Sequence, residues 1–169
     1  YLMKQRPVLK VRLNLLDTSS HTCIWLSSLV AMVDFLLQAI PGQFGFAGTS
    51  IDEVLGLLFQ PLAWTMGVPW EESSMMGTLM GKKIAFTELI AYGDLKTILA
   101  SGQISERTAV IATYALCGFA NFGSIGIQLG GIGGMAPDRK KDLASLVTKA
   151  MIGGALASWL TATIAGILI

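Results

Sequence analysis

The sequence predicts an all-α integral membrane protein built around a re-entrant helical hairpin and a discontinuous transmembrane helix. Three observations carry that prediction. Hydrophobic residues fill 53% of the 169 positions and charged residues 14%, with a mean hydropathy of +0.62. A soluble domain carries about 25% charged residues. Residues 108–137 form an uncharged run of thirty, longer than the roughly 20 residues a helix needs to cross a bilayer. The middle of that run, residues 117–127, reads C-G-F-A-N-F-G-S-I-G-I. Gly118, Gly123 and Gly126 weaken a helix there by roughly 1 kcal/mol each against Ala. Asn121 and Ser124 add polar groups at bilayer depth. Irregular backbone at that depth is tolerated only where protein buries it or where it lines a watery cavity. The stretch is therefore expected to touch a solute.

Composition also excludes. The net charge is +1, and no basic stripe with interleaved aromatics marks a nucleic-acid surface. Cys23 and Cys117 sit in apolar runs and read as unpaired apolar side chains. His21 has no neighbouring ligands, so no metal site is expected on this chain. No nucleophile–base pair or nucleotide motif supports an enzyme.

Residues 1–22 are basic and then polar, with Lys4, Arg6, Lys10 and Arg12. The positive-inside tendency predicts a cytoplasmic or poorly ordered segment, without an assigned role. The chain opens on Tyr1 rather than Met, which suggests a fragment or a processed protein. Residues 23–40 form a transmembrane helix interrupted by Asp34, which is either functional or turned toward a neighbour near the helix end. Pro41 and Gly42 stop that helix. Ser50 and Glu53 make a capping box for a helix over residues 51–66, whose acidic start and Trp64 suit the membrane interface.

After a turn at residues 67–69, Trp70, Glu71 and Glu72 open the next helix, and Gly77 and Gly81 allow close helix contact. Residues 70–102 hold two half-length apolar segments, each too short to cross. A hairpin entering and leaving on one side accommodates them, with its tip near residues 86–89. The broken transmembrane helix follows over residues 107–135. Asp138, Arg139, Lys140, Lys141 and Asp142 read as a cytoplasmic loop before a final span over residues 143–169. In that span Lys149 can snorkel, and Gly153, Gly154, Ala157, Ser158 and Ala162 offer a small-residue face.

Glu88 is the sharpest site candidate, set at the tip among Phe86, Leu89 and Ile90. A buried carboxylate costs several kcal/mol unless paired. A hydroxyl-rich solute would supply donors; a salt bridge to Lys82 or Lys83, or an exposed tip, is the competing reading. Asn121 and Ser124 are three apart and share a face if both are helical, for a solute or for a neighbouring helix. Trp64 and Trp70 read as interface anchors, and Gly126, Gly130 and Gly134 as packing. One acid, one amide and one hydroxyl among apolar walls suit recognition of a neutral polar solute rather than bond cleavage.

Residues 117–127, followed by Q-L-G-G-I-G-G-M-A-P-D-R-K-K-D, resemble the signature of the concentrative nucleoside transporters. Residues 83–92, K-I-A-F-T-E-L-I-A-Y, are similar to the family's K-x-x-x-N-E-F-V-A-Y, and residues 62–70 also fit. The resemblance runs from about residue 29 to residue 169. It implies a homotrimeric, multi-pass cell-membrane protein driven by a Na+ or H+ gradient, each protomer built from two inverted repeats. It implies that Glu88 binds ribose hydroxyls of a nucleoside, that Asn121 and Ser124 join it, and that Phe119 lines the site. This sequence departs from the pattern at Thr87, Leu89 and Gly123. The resemblance also implies that base recognition and the cation site belong to a first repeat which this length does not hold. The chain would then be the C-terminal part of a nucleoside symporter, half of an inverted-repeat transporter. The alternative is a truncated or non-transporting membrane module, either an inactive remnant or a gate-like protein used in assembly or signalling.

Overall fold

The computed structural model describes residues 51–169, together with helical residues 21, 24, 25, 28, 29, 31–33, 35 and 36. The role of residues 1–22, the bounds of the helix over residues 23–40, Asp34, the loop before residue 49 and the cap at Ser50 lie outside the described residues. Among the described residues no strand occurs. Over residues 51–169 six α-helices follow one another: α1 (Ile51–Thr65), α2 (Trp70–Ala85), α3 (Glu88–Ala100), α4 (Glu106–Leu116), α5 (Phe122–Met135) and α6 (Lys140–Leu168).

The helices α1 and α2 form an antiparallel pair because both carry glycine where they cross. A Cβ on Gly77 would lie 2.3 Å from the carbonyl oxygen of Gly56, so no side chain fits between the two backbones. At the turn, Trp64 and Trp70 meet edge to face with ring centroids 6.3 Å apart. Both stay exposed, as suits an amphipathic anchor.

The hairpin is α2 plus α3. Their 16 and 13 residues span about 24 and 20 Å, short of a hydrocarbon core of roughly 30 Å. The tip is narrower than the sequence reading had it. Only Phe86 and Thr87 connect the helices, and Glu88 and Leu89 already belong to α3. Thr87 adopts an extended backbone and caps α3, its hydroxyl accepting from the Ile90 N–H at 3.5 Å. At the mouth of the hairpin Glu72 accepts from the Ser105 N–H at 3.1 Å and from its hydroxyl at 2.9 Å. Burial raises the Glu72 pKa, but hydrogen bonds from Thr108 and Ser105 outweigh it and hold the carboxyl below its ordinary range.

The long apolar run is broken as the sequence predicts. Its two halves, α4 and α5, are separated by residues 117–121. Gly118 sits in the break with φ +117°, a region that side-chain-bearing residues rarely adopt. Gly123 and Gly126, by contrast, are helical within α5.

The charged cluster at residues 138–142 is not a loop. A 3-10 turn (Pro137–Arg139) runs directly into α6, which begins at Lys140 rather than residue 143. Proline suits the first turn of a helix because its missing N–H is unneeded there. Asp142 lies in the first turn of α6, where the dipole favours an acid, and pairs with Arg139 at 2.6 Å. The continuous Pro137–Leu168 helix has 32 residues and is, among the described residues, the one helix long and apolar enough to cross a membrane.

One core joins these parts. Met76 and Met80 of α2, Ala91 and Leu95 of α3, Ile111 and Leu116 of α4, and Trp159 and Ala162 of α6 are all buried together. Arg107 fastens the far end, donating to the carbonyls of Gly67 and Gly166. The opposite side of α6 leaves Leu146, Ile152, Leu156, Leu160 and Ile164 exposed.

Candidate functional site

The core sets the hairpin tip against the helix break, and the candidate residues meet there. Glu88 occupies the first position of α3, where the positive end of the helix dipole favours a carboxylate. It is half-buried. Its Oε2 accepts from Asn121 Nδ2 at 2.8 Å. The charged partner considered from sequence is not what the geometry gives this oxygen. Lys82 pairs with Asp94 at 2.6 Å, and Lys83 turns inward.

Asn121 is 3% exposed and caps the N-terminus of α5. Its backbone is extended, with φ −142°. Its Oδ1 accepts from the Ser124 N–H at 2.7 Å. The amide therefore faces two ways: its oxygen terminates α5, and its nitrogen reaches the hairpin. Ser124 completes a capping box. Its hydroxyl donates to the Asn121 carbonyl at 2.6 Å and accepts from the Asn121 N–H at 3.3 Å. Asn121 and Ser124 thus do not share a helix face. The i, i+3 argument requires both residues to be helical, and Asn121 is not. The Ser124 hydroxyl is 7% exposed at the residue level and satisfied by backbone; its place is to shape the cap that Asn121 forms.

Phe119 lies two residues before Asn121 and is 76% exposed. Leu89 on the tip is similarly open at 78%. The polar pair Glu88–Asn121 is thereby flanked by apolar side chains that this chain does not cover. Among the described residues, no three His, Cys, Asp or Glu side chains gather into a metal-binding group.

Two residues absent from the site read from the sequence complete it. Lys83 is fully buried, with Nζ 2.9 Å from the Ala115 carbonyl and 2.9 Å from Ser158 Oγ. The Tyr92 hydroxyl donates to the Thr113 carbonyl at 2.6 Å. These two side chains, one from each hairpin helix, occupy carbonyls of the last turn of α4. The sequence held a signal for Lys83. Ser73, Met76, Met80 and Lys83 recur at spacings of three and four, the stripe of a buried helix face.

Comparison with known proteins places this arrangement. Residues 14–166 match the family described as the Na+ dependent nucleoside transporter C-terminus. The uncharacterized transporter YutK of Bacillus subtilis is 43% identical over 142 residues, covering 84% of this chain and 35% of YutK. The putative nucleoside permease NupX of Escherichia coli is 42% identical over 129 residues, covering 76% of this chain and 31% of NupX. The chain thus spans about a third of the length of the relatives it matches. Among solved structures, a substituted CNTnw in an outward-facing state superposes with a TM-score of 0.84 at 37% identity, covering 92% of this chain and 39% of that one. CNTnw in an inward-facing substrate-bound state superposes at 0.74 and 40% identity, covering 87% and 36%.

Proposed function

The chain belongs to the Na+ dependent nucleoside transporter C-terminus family, and from that premise we propose that it supplies the sugar-facing wall of a cation-coupled nucleoside symporter. The observation that carries the reading is the Glu88–Asn121 hydrogen bond, which joins the hairpin tip to the helix break. A carboxylate offers about four lone-pair directions, and an amide nitrogen has two hydrogens. The mutual bond uses one of each. The ribose hydroxyls of a nucleoside can then donate to the remaining carboxylate directions and accept from the second amide hydrogen. Phe119 and Leu89 supply apolar surface beside them. Ser124 acts at one remove, by fixing Asn121 in its capping conformation.

In this reading the protein is a multi-pass component of the cell membrane and carries out transport rather than bond cleavage. The substrate is held between this wall and one built from residues outside the third of the relatives that this segment matches. Base recognition and the Na+ or H+ site belong to that other wall. Alternating access within a homotrimer completes the cycle; the alternation is supported by relatives solved in outward-facing and inward-facing states.

The test is uptake of labelled uridine and adenosine by cells that lack their own nucleoside uptake. They express a full-length transporter carrying this segment, with and without a Na+ or H+ gradient. Gradient-dependent accumulation is expected. Absence of uptake from a protein shown to be at the cell surface refutes the reading.

A further inference from the structure

Lys83 is a buried cation whose two hydrogen-bond partners are a carbonyl and a hydroxyl, with no carboxylate between them. Desolvating an ammonium costs several kcal/mol, and a well-packed apolar side chain of similar volume is often as stable or more so. Packing alone therefore does not account for a lysine at a fully buried position on the same helix face as Met76 and Met80. Its location does. The last carbonyls of any helix lack partners within the helix and carry its partial negative charge. The α4 helix ends at Leu116, and Ala115 and Leu116 of its last turn are fully buried. Lys83 takes the Ala115 carbonyl, Tyr92 takes that of Thr113, and the Cys117 N–H takes that of Tyr114.

These ties close a ring. From Lys83 the chain runs over the tip to Glu88, which binds Asn121. From Asn121 it runs back through the break to Ala115, which binds Lys83. The hairpin is thus fastened to the break on both sides of the tip. One fastening alone leaves the break free to rotate about it, which shifts the Asn121 amide relative to the Glu88 carboxylate.

We propose that Lys83, seconded by Tyr92, is a positioning residue for sugar recognition, holding the end of α4 so that Asn121 is presented to Glu88. This rests on the reading of Glu88 and Asn121 as the ribose-binding pair. The test uses a full-length transporter carrying this segment, quantified at the cell surface. It compares KM for uridine with KM for its 2′,3′-dideoxy analogue, in the unsubstituted protein, in Lys83→Met and in Tyr92→Phe. Discrimination against the dideoxy analogue is expected in the unsubstituted protein. In Lys83→Met, KM for uridine is expected to rise about tenfold, as for a loss near 1.4 kcal/mol, while KM for the analogue stays within threefold. Tyr92→Phe should move the ratio the same way to a smaller extent. A purely structural role would instead lower the amount of protein at the surface and leave the ratio intact. If Lys83→Met fails to reach the surface, Tyr92→Phe decides on the same ratio. Retention of the unsubstituted ratio within twofold overturns the proposal. A ratio already near one in the unsubstituted protein overturns the ribose reading itself, and the proposal with it.

Discussion

Replacing Glu88 by Gln keeps the size of the side chain and an oxygen for Asn121 Nδ2, but removes the charge. The 2.8 Å contact therefore survives as a neutral hydrogen bond, and the fold should tolerate the change. What falls is the strength of the bonds to ribose. A hydrogen bond to a charged group contributes about 1.5–3 kcal/mol and a neutral one about 0.5–1.5. Each of two ribose hydroxyls then loses about 1 kcal/mol, or about 2 kcal/mol together. At 1.4 kcal/mol per factor of ten, KM for uridine should rise roughly 30-fold. The dideoxy analogue, which cannot donate, should be nearly unaffected. The assay is concentration-dependent uptake by a full-length transporter carrying this segment, with surface amount measured in parallel. A KM for uridine within threefold of the unsubstituted value refutes the assignment of Glu88 to the sugar.

Ser124→Ala separates a capping role from a ligand role. Loss of the capping box should lower stability by about 1 kcal/mol in a thermal melt in detergent, and discrimination between uridine and the dideoxy analogue should persist; its loss would return the hydroxyl to the binding site. Gly77→Ala drives a methyl group into the Gly56 carbonyl, and overpacking of this kind costs about 1–3 kcal/mol. Gly93→Ala, with nothing within 4 Å of its Cβ, should instead stabilise α3 by about 0.5–1 kcal/mol, so the two melts should move in opposite directions. Glu72, lowered from its ordinary pKa of 4.5 by hydrogen bonds at the hairpin mouth, contributes stability that is complete above that value and is lost as pH falls through the lowered one. Glu72→Gln should remove this part of the acid-side slope in a stability–pH profile, and an unchanged slope would show that the carboxylate has no such part.

Much of the architecture was legible because glycine and polar residues inside an apolar run have few physical outcomes. The break at residues 117–121 followed from Gly118 and Asn121, and the hairpin from two segments too short to span. Directions of side chains were less legible. Spacing put Asn121 and Ser124 on one face by treating both as helical, but the first residue outside a helix has extended dihedrals and turns its side chain back onto the helix. The same gap hid Lys83. Two adjacent lysines look alike in sequence, yet Lys82 meets Asp94 at the half-exposed edge while Lys83, one position on, falls on the buried stripe. The start of α6 was misplaced for a third reason. A run of charges reads as a loop by composition, whereas Pro137 and the Arg139–Asp142 pair make those charges the first turns of a helix.

Arg107 has a consequence for the order in which the chain can be assembled. Its guanidinium binds a carbonyl 40 residues earlier, at Gly67, and another 59 residues later, at Gly166. During synthesis the first partner is present when Arg107 emerges, and the second is not. The start of α4 therefore enters its surroundings as a half-satisfied cation, and its final position is set only when the last turn of α6 arrives. The α6 helix in this sense locks the start of α4, and its insertion completes a segment made long before it.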